Sequence, residues 1–214
     1  MATIGQLYDT LSVFANRGRS AGWDSLDQDS VQAILRDPDG LTKNFIMFMG
    51  NGACMILGDL TIIPVPFDVK KFVGENWEVI KEDHDPRNDS LGSVNFSQAE
   101  FVTCLNEGET RVPGEVKLTR LKAGNQIRLG ASTFLGLWRD WEAKGANSVL
   151  ESLFRLKGIT YMDFPGDVLQ NPNRNRCVLC LYRRGDGQWR WNYNWLDDDW
   201  DARNVSAVFP QVSA

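Results

Sequence analysis

Residues 189–204 read Trp-Arg-Trp-Asn-Tyr-Asn-Trp-Leu-Asp-Asp-Asp-Trp-Asp-Ala-Arg-Asn. Four of the eight tryptophans of the chain fall between Trp189 and Trp200, and the positions between them are almost all Asn, Tyr, Asp and Arg. Successive side chains of an extended strand point to opposite faces. Trp189, Trp191, Tyr193 and Trp195 therefore share one face, and Arg190, Asn192 and Asn194 share the other. A large aromatic ring buries about 150–250 Å². Tryptophan at this density pins the segment to the body of the protein whatever stands between, which predicts interleaved polar positions that can change without loss of the fold.

Working outward, the flanking residues also read as β structure. Cys177 to Arg184 is an apolar strand, Gly185-Asp186-Gly187 a hairpin turn, and Val205 to Phe209 a last short strand. Ile159 to Phe164 predicts a further strand, separated by a polar loop over Pro165 to Arg176. Before this block come helices. Ala131 to Ala143 places Phe134, Leu137, Trp138 and Trp141 on one helical face, and these rings read as core packing. Asn147 is the expected cap of a second helix that Gly158 stops. Phe96-Ser97-Gln98-Ala99-Glu100-Phe101 has the form of a capping box with a hydrophobic staple, and predicts a helix from Ser97 to about Asn106. Gly114 to Arg128 is mixed. The first 80 residues alternate short signals: a capping box at Ser25 with an apolar stripe at Val31, Ile34 and Leu35, strands at Phe45–Met49 and Cys54–Val65, and a short element from Phe72 to Ile80. The Asp-, Pro- and Gly-rich stretch Lys81–Gly92 is the natural boundary between an N-terminal part (1–85), either separate or integrated with the rest, and a C-terminal domain (86–214).

Composition narrows the function classes. The chain has 214 residues, 43% of them apolar, enough to bury a sizeable core and to exclude general disorder. No apolar run approaches the roughly 20 residues that cross a bilayer, and the opening MATIGQLYDTLSVFANRGRS lacks the pattern of a secretory signal. A cytoplasmic location without membrane insertion is expected, with surface display compatible. The net charge of −5 argues against nucleic acid as the main partner. The one histidine, His84, lies in a polar turn-like stretch and reads as a solvated surface residue. Cys177 and Cys180 have C-x-x-C spacing, but they sit on a buried strand with no second pair to complete a zinc site. All four cysteines, Cys54, Cys104, Cys177 and Cys180, read as small buried residues or unpaired thiols. No metal and no cofactor are expected.

The stretch from Cys177 to Phe209 resembles the C-terminal variable segment of diversity-generating retroelement target proteins, in particular the variable proteins of archaea and candidate-phylum bacteria. Lys71-Phe72-Val73-Gly74-Glu75-Asn76-Trp77 and Leu118–Leu129 are also similar to that family, so the resemblance spans roughly residues 70–209. It implies an α+β fold of the C-type-lectin class, formylglycine-generating-enzyme type, with helices packed on small antiparallel sheets and a varied C-terminal binding face. In that family an error-prone reverse transcriptase replaces adenines, chiefly in Asn codons, which yields Asn, Asp, Tyr, Ser, Gly, His or Arg but never Trp or Gln. The resemblance thus implies a fixed frame of Trp189, Trp191, Trp195 and Trp200. The varied set is Asn192, Tyr193, Asn194, Asp197, Asp198, Asp199, Asp201, Arg203 and Asn204, with Arg183, Arg184, Asp186 and Arg190 as secondary members. Val205 departs from the proline of the family pattern.

The implied function is ligand binding without catalysis, by a monomer, to a protein or surface ligand of unknown identity. The four aspartates at 197, 198, 199 and 201, set against Arg190 and Arg203, suggest a polar or cationic epitope. Two other readings attach to the same fold. A calcium-dependent sugar binder would use Asn194 and Asp197–Asp199 as oxygen ligands, but the Glu-Pro-Asn and Trp-Asn-Asp motifs of such lectins are absent. An oxidase would need a particular cysteine pair that Cys177 and Cys180 do not match.

Overall fold

The computed structural model describes residues 60–210. In chain order its elements are β1 (Thr61–Ile62), α1 (Val69–Phe72), β2 (Glu78–Val79), β3 (Val94–Asn95), β4 (Glu100–Val102), β5 (Arg111–Pro113), α2 (Gly114–Ala123) and β6 (Ile127–Arg128). They continue with α3 (Ala131–Lys144), α4 (Val149–Lys157), β7 (Tyr161–Gln170), β8 (Arg176–Arg183), β9 (Trp189–Trp195), β10 (Asp199–Asp201) and β11 (Val205–Phe209). The arrangement is α+β. The helix expected at Ser25, the strand at Phe45–Met49 and Cys54 lie outside the described residues.

The main sheet runs β4-β11-β7-β8-β9, with β2 also pairing β7 and β6 also pairing β11. β7, β8 and β9 form an antiparallel meander, and β11 lies parallel to β7. Five consecutive residues of β8, Cys177 through Leu181, are buried, so both faces of this strand are covered. Burial on both faces is why its sequence is a continuous apolar run rather than an alternation. One face carries the larger core, in which Phe134 of α3 meets Phe164 edge-on at 5.5 Å and Trp191 at 6.5 Å. The other carries a smaller cluster of Leu118, Val168, Val178, Leu196 and Trp200, covered by α2.

The helix ends follow local chemistry. Ser148, one residue after the expected Asn147, caps α4: its Oγ accepts the Glu151 N–H at 3.3 Å. Asp140 accepts the Val149 N–H and so ties α3 to the same end. Gly158 stops α4 in the left-handed conformation (φ +67°) that a side chain disfavours.

Two expectations fail here. Ser97 begins no helix. Asn95 turns the chain instead, its side chain accepting the Ser97 N–H, and Glu100–Val102 then pairs antiparallel with β11. Strand pairing outweighs a capping signal worth about 1 kcal/mol. The loop expected over Pro165–Arg176 is shorter, because β7 continues to Gln170 through an irregularity between Phe164 and Leu169. Proline and glycine suit that bulge. Gly166 passes so close to the backbone that a Cβ would stand 2.2 Å from the Arg128 carbonyl oxygen. Its own N–H and C=O bond to Leu129 and Asp85. The Lys81–Gly92 stretch folds as two 3-10 turns, Lys81–Asp83 and Pro86–Ser90, tied to the core by buried carboxylates. Asp83 bonds Lys122 and Arg176, and Asp85 takes the Arg87 guanidinium. Burial disfavours the charged form of Asp85, yet the bonds from Arg87 and the Arg128 N–H hold its carboxyl down at about 2.

Gly114 opens α2 against the backbone of the C-terminal segment. A Cβ there would lie 2.8 Å from Leu196 Cα and 2.9 Å from the Trp200 ring. Gly114→Ala is expected to lower stability by about 1–3 kcal/mol in urea unfolding. Gly92→Ala, at a position with nothing within 4 Å, is expected to be neutral or slightly stabilising.

Candidate functional site

The Trp189–Asn204 segment is fixed from two sides. On the first, the indole row of β9 lies against the larger core. Trp189 is fully buried and donates its Nε1–H to Glu151 at 2.9 Å. Trp191 packs on Phe72 with ring centroids 4.8 Å apart. Tyr193 sits 5.0 Å from both Trp77 and Trp195. The period-2 reading of the strand therefore holds: Trp191, Tyr193 and Trp195 are half-buried, while Arg190 and Asn192 are exposed.

On the second side the anchors are Leu196, Trp200 and the backbone itself. Trp200 is buried and donates its Nε1–H to the Trp195 carbonyl at 3.0 Å. The first two N–H groups of α2, on Gly114 and Glu115, donate to the carbonyls of Asp198 and Leu196 at 3.0 and 2.9 Å. β10 pairs with β5, setting Trp200 opposite Val112. The chain path between the two tryptophans is thus held by main-chain bonds and two apolar anchors. Asp197, Asp198 and Asp199 all remain exposed.

The sequence-derived site residues divide into distinct groups. Arg184, Asp186, Arg190, Asn192, Asp197, Asp198, Asp199 and Arg203 are exposed. Arg203 is paired with Asp201 at 2.7 Å, and its guanidinium holds the Asp201 carboxyl down at about 2. Asp186 accepts the Gln188 N–H in the hairpin turn. Arg183 is committed to structure: it bonds Glu151 at 2.7 Å and lies 3.9 Å over the Phe154 ring. Tyr193 belongs to the ring row. Asn204 braces the turn after β10 by accepting the Asp201 N–H.

Asn194 points inward, and beneath it lies a polar network that the sequence does not announce. Its Nδ2 donates to Asp163 Oδ1 at 3.3 Å. Asp163 and Lys117 are both completely buried, with Nζ 3.7 Å from Oδ2, beyond hydrogen-bond reach. Lys117 Nζ donates instead to the Asn204 carbonyl at 2.5 Å and stands 5.0 Å over the Trp200 ring. Asp163 Oδ2 and Ser206 Oγ have no hydrogen-bond partner among the described residues. Burial drives Asp163 up to about 7, with Lys117 and Asn194 only partly opposing it. Burial likewise lowers Lys117. The network connects α2, β7, β9 and the turn at Asn204, so it braces the segment from below.

Elsewhere, Cys104, Cys177 and Cys180 are free thiols, and burial pushes Cys177 and Cys180 up to about 12. Thiols so protonated are poor nucleophiles. His84 is not a solvated residue: its Nδ1 bonds Asp167 at 2.7 Å and its Nε2 bonds Asp89 at 3.1 Å. Among the described residues no cluster of three or more His, Cys, Asp or Glu side chains is arranged to hold a metal, and no helix is long and apolar enough to cross a membrane. Comparison of the chain with protein-family models, with curated proteins and with solved structures finds no match in any of the three.

Neighbouring asparagines on β9 should behave oppositely. Asn192→Asp is expected to change stability by less than about 0.5 kcal/mol. Asn194→Asp sets a second carboxylate against buried Asp163 and should cost about 1–3 kcal/mol or more. The buried acid also predicts a pH signature. Because the folded state holds the Asp163 proton more tightly than the unfolded chain, whose value is near 3.8, its contribution to stability falls as pH rises from 3.8 to about 7. Over that window denaturation should show Asp163→Asn gaining relative to the wild type.

Proposed function

We propose that this chain is a ligand-binding protein with no catalytic activity, its C-terminal binding face diversified by a diversity-generating retroelement. We further propose that its α+β fold is of the C-type-lectin class, formylglycine-generating-enzyme type. One observation carries the reading: between Trp189 and Arg203 the apolar rings and the main chain hold the segment, while the codon-accessible residues Asn192, Asp197, Asp198, Asp199 and Arg203 are exposed. Such a division lets side chains be exchanged over a backbone that is already ordered, so little affinity is lost to ordering on binding. Antibody binding sites use Tyr, Ser, Gly and Asn in a comparable way.

In this copy the face is acidic. Among the described residues Asp197, Asp198 and Asp199 form no salt bridge, whereas Asp201 is matched by Arg203. A protein or surface ligand with a polar, cationic epitope suits it. Charge-matched ligand panels test this part: binding unchanged after all three aspartates become Asn would remove it.

The reading as a whole is tested genomically and by replacement. A near-copy of the 177–209 coding segment, differing mainly at adenines and lying beside a reverse-transcriptase gene, is expected; its absence from the locus would count decisively against the proposal. In the protein, joint replacement of Asn192, Asp197, Asp198, Asp199 and Arg203 by Ser, Tyr or Gly should alter stability by less than about 2 kcal/mol. Trp189→Ala alone should cost about 3–5 kcal/mol. Urea unfolding of both variants makes the comparison.

A further inference from the structure

A cleft of about 570 Å³ opens beside the start of α3, and it shares no residue with the 183–204 segment. Pro66, Phe67 and Val79 form an apolar wall; Lys81 and His84 stand on the polar side. The histidine ring is built in rather than loose. Asp167, itself only 13% exposed, takes Nδ1 at 2.7 Å with one oxygen and the Ala131 N–H at 2.7 Å with the other. That pair of bonds fixes the ring plane relative to α3. The second ring nitrogen meets Asp89 at 3.1 Å, and Asp89 is 73% exposed. Burial works against a charged ring, but the bonds to Asp167 and Asp89 outweigh it and raise the His84 pKa. The carboxylates acting on the ring are Asp167 and Asp89, and Lys81 lines the same cleft.

An oriented imidazolium at the edge of an apolar cleft, covered by a carboxylate on a solvent-exposed turn, has the features of an anion site occupied by a tethered substitute. An exposed ion pair contributes little, so a competing carboxylate displaces it at small cost. A volume of this size suits a small molecule with an apolar stem. We propose that the cleft binds a monocarboxylate with an aromatic or branched apolar stem, its carboxylate replacing Asp89 on His84 Nε2 near the Lys81 ammonium and its stem lying on Phe67, Pro66 and Val79. The site is separate from the diversified face and does not depend on its function.

The experiment uses the full chain and 3-phenylpropionate as probe. Because His84 is the one histidine, its ring signals report the site without ambiguity. Titration should shift them saturably, and 3-phenylpropionamide, which lacks the charge, should not. Asp89→Asn removes the competitor and should tighten phenylpropionate binding about two- to fivefold. Calorimetric titration, which needs no ring signal, should show that His84→Gln abolishes binding, with the unfolding midpoint checking that the variant folds. A tripeptide ending in phenylalanine separates the two sources of this chemistry: tighter binding than phenylpropionate marks a chain terminus, weaker binding a small free acid. The proposal is overturned if neither the wild type nor Asp89→Asn gives a saturable shift, if the amide binds as well as the acid, or if Asp89→Asn weakens binding.

Discussion

The packing of one side of β9 on the larger core is the contact on which the C-terminal half depends. β9 is an edge strand, hydrogen-bonded to β8 alone among the described residues. Three of its seven residues, Arg190, Asn192 and Asn194, are polar and add little apolar burial. Its attachment rests on Trp189, sealed beneath α4 with its N–H on Glu151, and on Trp191, set against Phe72 and close to Phe134. Each of these rings removes on the order of 150–250 Å² of surface from water. Glu151 also receives Arg183, so one buried carboxylate secures the last residue of β8 and the first of β9 to the same helix.

Beyond β9 the means of attachment changes. Rings give way to backbone bonds, supplied by the N–H groups that every helix leaves unsatisfied in its first turn. α2 spends two of its own on the carbonyls of Leu196 and Asp198. This satisfies the helix end without a side-chain cap and shapes the loop without using the loop's side chains. The Lys117–Asp163 pair underneath is a less comfortable solution, since two ionisable groups leave water for a separation of 3.7 Å and an incomplete set of hydrogen bonds. Pairs of this kind add little net stability, but removing one partner strands the other. The pair couples the turn at Asn204 to the centre of the sheet.

How far the sequence discloses this structure depends on the range of the interaction. The ring row of β9, the turn at Asp186, the body of α3 and the stop at Gly158 are legible because each is written in neighbouring residues with a period or a cap. The α+β class follows from them. Ser97 misleads because its capping box is equally local, while the partner that decides the outcome, β11, lies about a hundred residues away. Pro165-Gly166 reads as a loop because composition does not distinguish a loop from a bulge within a buried strand. Lys117 and His84 carry no local mark of their surroundings. Lys117 occupies a helix of mixed pattern and meets Asp163 only through the sheet, and His84 sits among charged residues while its fixing partner is Asp167. Within the candidate site, alternation assigns Asn192 and Asn194 to one face but does not show that the first meets solvent and the second a buried acid.

The bond from the Trp200 indole to the Trp195 carbonyl closes a short circuit of chain whose two ends are both anchored. Its circumference is set by the distance between those anchors. Within it Asp197, Asp198 and Asp199 face solvent and can change without touching either anchor, but a residue added or lost would pull one indole from its seat. A segment built this way favours changes of spelling over changes of word length, so the diversification proposed for it would come by substitution in place.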